Sequence, residues 1–394
     1  MGRLAPAPGV EEFDATGKVV APGLIDLHVH LREPGFEHKE TIATGTRAAV
    51  MGGFTTVCAM PNTRPVIDRP ERVADLLARA EGAACRVLAI GAATLDHENE
   101  EFTDFAALKA AGCVAVTDDA FPLQRMDQMV EALMQAGRAD LPFIAHCELK
   151  GLSRGGVVDR SAEGFVDAPV QETLAEAASL RLWSAAYERA AARIGRPPRL
   201  HIAHVSTRAT CGLLTVLWRT PALVTAESAP HYLTLSSEAV ARCGADAKMN
   251  PPLRSPSDAA AVRSAVADGP LWVIATDHAP HSPEEKAAGL VEAPFGIVGL
   301  ETAVPVAMHA VGMARAVAAM TALPAGFFGL RAGRLELCRR ADVTVIDPDA
   351  RWQVDPSRFE SKGRSSPWAG QWLQGRVCAT FVDGNLRMRD GVIL

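Results

Sequence analysis

The chain has 394 residues, 48% of them hydrophobic and 22% charged, so it can bury a large core, and α/β barrels fill such a length as one domain plus an appendage. Its 46 acidic and 40 basic residues leave a net charge of -6 without a long run of either sign, which argues against nucleic acid or an anionic membrane as partner and for a small-molecule substrate. There is no apolar span of bilayer length, and Met1 to Val10 lacks the basic-then-apolar order of a signal peptide, so a cytoplasmic enzyme is expected.

In chain order, short runs rich in Val, Ile and Thr alternate with Ala-rich stretches of helical period. Strands are expected at 24–30, 55–60, 86–92, 114–118, 142–146, 200–205, 223–226 and 271–276. Helices are expected between them at 41–51, 72–83, 126–136, 171–194 and 258–267. This alternation predicts an α/β fold, a closed (β/α)8 barrel of the TIM type over residues 21–333, and no internal repeat competes with it. The eight cysteines are scattered without a C-x-x-C pair and are expected to be reduced and mostly buried. Cys147 follows His146, but strand alternation points it to the opposite face.

Polar residues gather at the C-terminal ends of these strands, where such barrels place their active sites. The first strand ends in Asp26-Leu27-His28-Val29-His30-Leu31-Arg32, and alternation puts His28 and His30 on one face, both able to hold one metal ion. The second strand leads to Asn62, the fourth to Asp118-Asp119, the fifth to His146, the sixth to His204 and the eighth to Asp277. Any one such histidine is more often a satisfied core group than a ligand. Four histidines and two carboxylates on one rim match the nitrogen and oxygen ligands of zinc or a similar divalent ion. His38, His97 and His309 fall in loop or helix segments, and His201, an odd number of residues from His204, should face away from it. No Ser-His or Cys-His pair stands out as a nucleophile system.

Residues 21–68 and 201–302 resemble a dihydroorotase of the amidohydrolase superfamily. The stretches that carry this are Gly23-Leu24-Ile25-Asp26-Leu27-His28-Val29-His30-Leu31-Arg32-Glu33-Pro34-Gly35, Met60-Pro61-Asn62-Thr63, Ala145-His146-Cys147-Glu148, Ile202-Ala203-His204-Val205-Ser206-Thr207, Asn250-Pro251-Pro252-Leu253-Arg254 and Ala275-Thr276-Asp277-His278-Ala279-Pro280-His281. The resemblance implies reversible hydrolysis of the cyclic amide of (S)-dihydroorotate to N-carbamoyl-L-aspartate, a step of pyrimidine biosynthesis, on two divalent ions, Zn2+ by the donor set. It places one ion on His28, His30 and Asp277 and the other on His146 and His204. Many superfamily members bridge their ions with a carboxylated lysine at the end of strand four. Here Cys113-Val114-Ala115-Val116-Thr117-Asp118-Asp119 has none and resembles the branch that uses aspartate. Its spacing from His146 makes Asp119 the implied bridge and leaves Asp118 a supporting carboxylate. By the same resemblance a metal-held hydroxide is the nucleophile and Asp277 is both ligand and general acid/base. Arg32, Asn62 and His281 would meet the ring carboxylate, Asn250 and the backbone of Phe295-Gly296 its polar edge, and His30 also counts among the substrate contacts. The competing reading of Arg32 is a loop salt bridge to Glu33 or Glu37.

The chain departs from this pattern in three places. Ala120 stands where the branch usually has Gly after the paired aspartates, and Tyr232 where it has a second His after Pro-His. Several strands of a small β-sandwich normally precede the barrel, and here only residues 9–20 do. Residues 1–20 and 334–394, with strands near 342–346 and 377–382, are therefore expected to form a small, incomplete sandwich, unless the sequence begins late. The resemblance leaves open a homodimer or a complex with aspartate transcarbamoylase. Two other readings compete: a hydantoinase or allantoinase type of cyclic amidohydrolase, which would show the bridging lysine, and a non-catalytic dihydroorotase-like subunit of aspartate transcarbamoylase, which would have lost metal ligands.

Overall fold

The computed structural model describes residues 12–165, 167–218 and 224–394. After β1 (Val19–Pro22), eight parallel strands pair in chain order: β2 (Leu24–Val29), β3 (Phe54–Ala59), β4 (Arg86–Ala92), β5 (Cys113–Thr117), β6 (Phe143–Ala145), β7 (Leu200–Ile202), β8 (Val224–Ser228) and β9 (Val273–Ile274). The expected barrel is present, with helices such as Ile42–Met51, Met126–Ala139 and Leu174–Ile194 between its strands. Leu223 of the expected seventh strand and residues 9–11 of the N-terminal run lie outside the described residues. Local chemistry sets the helix ends: Thr41 caps the first of these helices through the N–H of Thr44, and Gly195, at φ 71, ends the last.

β9 is short, and side chains complete the seam between it and β2. Val29 bridges His278, the His30 N–H donates to the His278 carbonyl at 2.8 Å, and the buried Asp26 carboxylate accepts the Thr276 N–H at 3.1 Å and its hydroxyl at 2.6 Å. The strand ends that carry His28, His30 and Asp277 are thereby held side by side. Ile25, Cys58, Ile90, Ile144 and Val273 belong to the apolar cluster that fills the lumen, and Phe328 packs into the same cluster. The barrel is thus a packed core, not a pore.

The expected small sandwich takes the form, in the described residues, of one antiparallel sheet ordered β1, β10 (Val343–Gln353), β11 (Trp372–Val382), β12 (Asn385–Arg389) and β13 (Val392–Ile393). The sheet lies tightly on the barrel: Thr344 and Thr380 donate their hydroxyls to the Gly53 and Val50 carbonyls at 2.6 and 2.7 Å. Gly53 has φ 88, and a Cβ there would stand 2.6 Å from Thr344 Cγ2, so both conformation and approach call for glycine. Among the described residues no helix is long and apolar enough to cross a membrane, and no cysteine is in a disulfide.

Candidate active site

The C-terminal ends of β2, β5, β6, β7 and β9 and the loops that leave them bring His28, His30, Asp119, His146, His204 and Asp277 together. His28 Nε2 lies 3.6 Å from Asp119 Oδ2 and 3.5 Å from Asp277 Oδ1, and His30 Nε2 lies 3.7 and 3.3 Å from the same two oxygens. The other Asp119 oxygen faces His146 Nδ1 at 3.3 Å and His204 Nε2 at 3.4 Å. One oxygen of Asp119 thus faces each pair of histidines, an arrangement open to a carboxylate shared by two ions. Two groups have donor atoms all within 4.8 Å of one another: His28, His30 and Asp277, and His28, Asp119 and His204. His28 belongs to both, whereas His146 joins through Asp119 and through its ring, 4.5 Å from that of His204. Asp118 turns elsewhere, accepting the backbone N–H groups of His146 at 2.9 Å and Leu123 at 2.8 Å, so it holds the loops in place.

Three of the four histidines pass their other ring N–H to a side-chain oxygen acceptor. His28 Nδ1 donates to Glu227 at 2.8 Å, His30 Nδ1 to Asn62 Oδ1 at 2.8 Å, and His146 Nε2 to Glu148 at 2.9 Å. Such bonds fix the ring orientation and, in the neutral ring that a metal ion accepts, turn the remaining nitrogen's lone pair toward the cluster. Among the described residues His28 Nε2 is buried with no hydrogen-bond partner, although two carboxylates lie within 4 Å. Burial opposes charge here, yet Asp119 and Asp277 hold His28 well above the ordinary histidine range, and Asp119 and Glu148 bring His146 up to about 9. Against the same burial, the histidines hold Asp119 and Asp277 well below the usual carboxylate range. The cluster draws positive charge, and its donors are the imidazole nitrogens and carboxylate oxygens that zinc and similar ions accept. These residues fit a divalent metal site.

A cavity of about 340 Å³ opens above this floor, lined by Arg32, Asn62, Asn250, His281, Phe295 and Gly296 together with His30. All the substrate contacts expected from the sequence therefore line one cavity. Arg32 pairs with neither Glu33 nor Glu37: Glu33 meets Arg79, Glu37 accepts the Gly35 N–H, and Arg32 Nε donates to the Pro280 carbonyl at 3.1 Å. His281 receives Lys39 at Nδ1 (3.2 Å) and gives Nε2–H to the Phe295 carbonyl (2.8 Å). With its proton on Nε2, that nitrogen cannot accept from the Arg32 Nη2 that stands 3.1 Å away, so the guanidinium keeps its terminal N–H groups for the cavity. Burial and the Arg32 and Lys39 charges push His281 down to about 2, which keeps it neutral, and burial lowers Arg32 to about 10, still cationic at neutral pH. His281 therefore gives its donor to Phe295 while lining the cavity beside Arg32. Arg32, Ala120, His204 and Asp277 all have left-handed backbone, at φ 61, 63, 31 and 49, the kind of strain that concentrates at functional sites.

Glu227, Glu148, Lys39 and Lys150 escape the sequence reading. Glu227 lies in β8, one residue past the expected strand end; a lone carboxylate inside an apolar strand is the signal that marks it. It also accepts from His201 Nε2 at 3.1 Å, and His201 Nδ1 meets Thr225 Oγ1 at 2.7 Å. His201 thus stays apart from His204, as its spacing requires, yet shares the Glu227 carboxylate with His28. Cys147 is buried, and burial raises its thiol well above the ordinary range, which leaves it no role as nucleophile.

Residues 17–164 match the family model described as Dihydro-orotase-like. Over 391 residues the chain is 46% identical to a dihydroorotase of Pelotomaculum thermopropionicum, a match that covers 98% of this chain and 90% of the relative. The chain belongs to the dihydroorotase family. Dihydroorotases of Syntrophotalea carbinolica and Geobacillus thermodenitrificans are each 44% identical, over 96% and 99% of this chain and 89% and 91% of their own. Among solved structures, an L-hydantoinase (dihydropyrimidinase) from Arthrobacter aurescens superposes with a TM-score of 0.87 at 23% identity, over 99% of this chain and 90% of that one. A D-hydantoinase (dihydropyrimidinase) from Thermus sp. gives 0.83 at 26%, over 99% and 89%. The dihydroorotase family membership makes the chain a metal-dependent cyclic-amide hydrolase, and the hydantoinases share its barrel.

Proposed function

We propose that this dihydroorotase acts at the cavity over the histidine–aspartate cluster, opening the cyclic amide of dihydroorotate to carbamoyl-aspartate and closing it again. Two divalent ions, zinc by the donor set, would be held there by His28, His30 and Asp277 on one side and His146 and His204 on the other, with Asp119 between them. The observation that carries this reading is a guanidinium without a carboxylate partner in the same cavity as a metal-fitting cluster. Among the described residues no acid lies within 4.0 Å of the Arg32 nitrogens, so a ring that brings its own carboxylate completes the site.

Ions bound at the cluster would supply a water of lowered pKa and a Lewis acid for the attacked carbonyl. Asp277, kept anionic by His28 and His30, takes the proton of the attacking water and returns it to the leaving amide nitrogen. Arg32 orients the ring carboxylate, helped by Asn62, whose Oδ1 is engaged by His30 and whose Nδ2 is left to donate. Gly296, at φ 134, lets the backbone reach the ring: a Cβ there would stand 2.3 Å from the Ala279 carbonyl oxygen. The hydantoinase reading shares the barrel, but it leaves Arg32 without a partner, and β5 runs into Asp118-Asp119 with no lysine. An assay of carbamoyl-aspartate cyclisation by the purified protein, before and after chelation, tests the proposal. Activity lost on chelation and restored by zinc supports it; full activity in metal-free protein refutes it.

A further inference from the structure

Glu148 lies within the barrel mouth, buried, and its two oxygens accept four donors. Oε2 takes His146 Nε2 at 2.9 Å, Lys150 Nζ at 2.8 Å and Asn250 Nδ2 at 3.1 Å, and Oε1 takes the Ser153 hydroxyl. Asn250 is held from its other side as well, because Gln171 Nε2 donates to its Oδ1 at 2.8 Å. Gln171 Oε1 in turn accepts from Arg254 at 2.7 Å, and Arg254 is buried against Asp159 at 3.2 Å. The amide of Asn250 thus has one orientation only, with one Nδ2–H committed to Glu148 and the other left for the cavity it lines.

We infer that Glu148 is a positioning residue that couples His146 in the metal cluster to Asn250 on the ring-binding wall. The inference rests on the proposed function, in which His146 is a ligand and Asn250 meets the ring. One carboxylate fixes the tautomer of His146, so that Nδ1 faces Asp119, and also the direction of the Asn250 amide. Gln in its place lacks the negative charge that holds the Lys150 ammonium and strengthens the bonds to His146 and Asn250, so the three donors are left to a single neutral amide oxygen. An outer partner of a metal ligand commonly alters metal affinity by about 10- to 100-fold, and one lost neutral hydrogen bond changes ring binding by roughly 2- to 10-fold.

The test uses the full chain loaded with zinc, with metal content read by mass spectrometry after dialysis and orotate binding read by calorimetry. Glu148→Gln, which keeps the volume, is compared with Glu148→Ala, His146→Ala and Asn250→Ala, with folding checked by circular dichroism. Both Glu148 variants are expected to lose the metal that His146→Ala loses and to weaken orotate, whereas Asn250→Ala weakens orotate with full metal. In the Glu148→Gln, Asn250→Ala double variant, orotate should bind no more weakly than the larger single effect predicts. Glu148→Gln with wild-type metal content and wild-type orotate affinity overturns the inference, as do fully additive effects on orotate. Full metal in His146→Ala would instead strike the metal assignment beneath it, so the two failures are told apart.

Discussion

Replacing Arg32 with Met removes the one guanidinium, among the described residues, that lines the cavity without a carboxylate partner. Arg32 sits at φ 61, and Met meets the same left-handed backbone, so the exchange adds no new backbone cost. What is lost in the protein itself is a single bond, from Nε to the Pro280 carbonyl at 3.1 Å. What is lost toward substrate is a charge-assisted contact, worth on the order of 1.5 to 3 kcal/mol, or about 10- to 150-fold in kcat/KM. The carboxylate is held both before and during ring opening, so most of the loss should fall on KM and little on kcat. Hydrolysis of dihydroorotate and of dihydrouracil is followed for wild type and variant with metal content matched. The uncharged ring offers nothing for Arg32 to hold and should lose far less. Equal losses on both rings, or none on dihydroorotate, would refute the reasoning.

Asp119→Ala should remove one of the two proposed ions and most of the rate, while Asp118→Ala should mainly lower the melting temperature, because it frees two buried backbone N–H groups; equal metal content in wild type and the Asp119 variant contradicts this. Asp277→Asn should cut turnover by roughly 100-fold or more even when reloaded with zinc, since an amide cannot carry the proton, and normal turnover would remove its acid/base role. Ala120 is exposed and left-handed at φ 63, so Ala120→Gly should raise the unfolding free energy by roughly 0.5 to 1 kcal/mol, read from denaturant midpoints; a lower midpoint goes against it. Glu301 accepts the N–H groups of Glu360 and Ser361, and burial raises its carboxyl from 4.5 to about 8. The folded state holds that proton more tightly than the unfolded one, so its contribution is whole below 4.5 and is lost as pH rises through about 8. Melting temperature should therefore fall less between pH values of about 5 and 8 in Glu301→Gln than in wild type, and an unchanged slope speaks against the assignment.

The barrel was legible because each strand is a compact apolar run followed by a helical period, a local pattern that needs no partner to be seen. The second sheet was less so. β10 and β11 each run for eleven residues, but their expected cores at 342–346 and 377–382 cover only part, since Asp347-Pro348-Asp349 and Gln374-Gly375 break the apolar alternation. The irregular pairing between Asp347 and Arg351 absorbs that break in space. At the site the six metal-fitting donors announce themselves by residue type at strand ends. Their supports do not, because these arise from contacts remote in sequence: Asn250 with Glu148 over 102 positions, His28 with Glu227 over 199, Arg32 with Pro280 over 248. The neighbours of His281 were hidden for the same reason, since Lys39, which meets its Nδ1, lies 242 positions away.

The preference of the zinc-loaded wild-type protein between dihydroorotate and dihydrouracil tests the central claim most directly, because the two rings differ in the carboxylate assigned to Arg32. A kcat/KM ratio of about 10 or more in favour of dihydroorotate is predicted from one charge-assisted hydrogen bond. A ratio near or below one would contradict the dihydroorotase account and move the site to the uncharged cyclic amides.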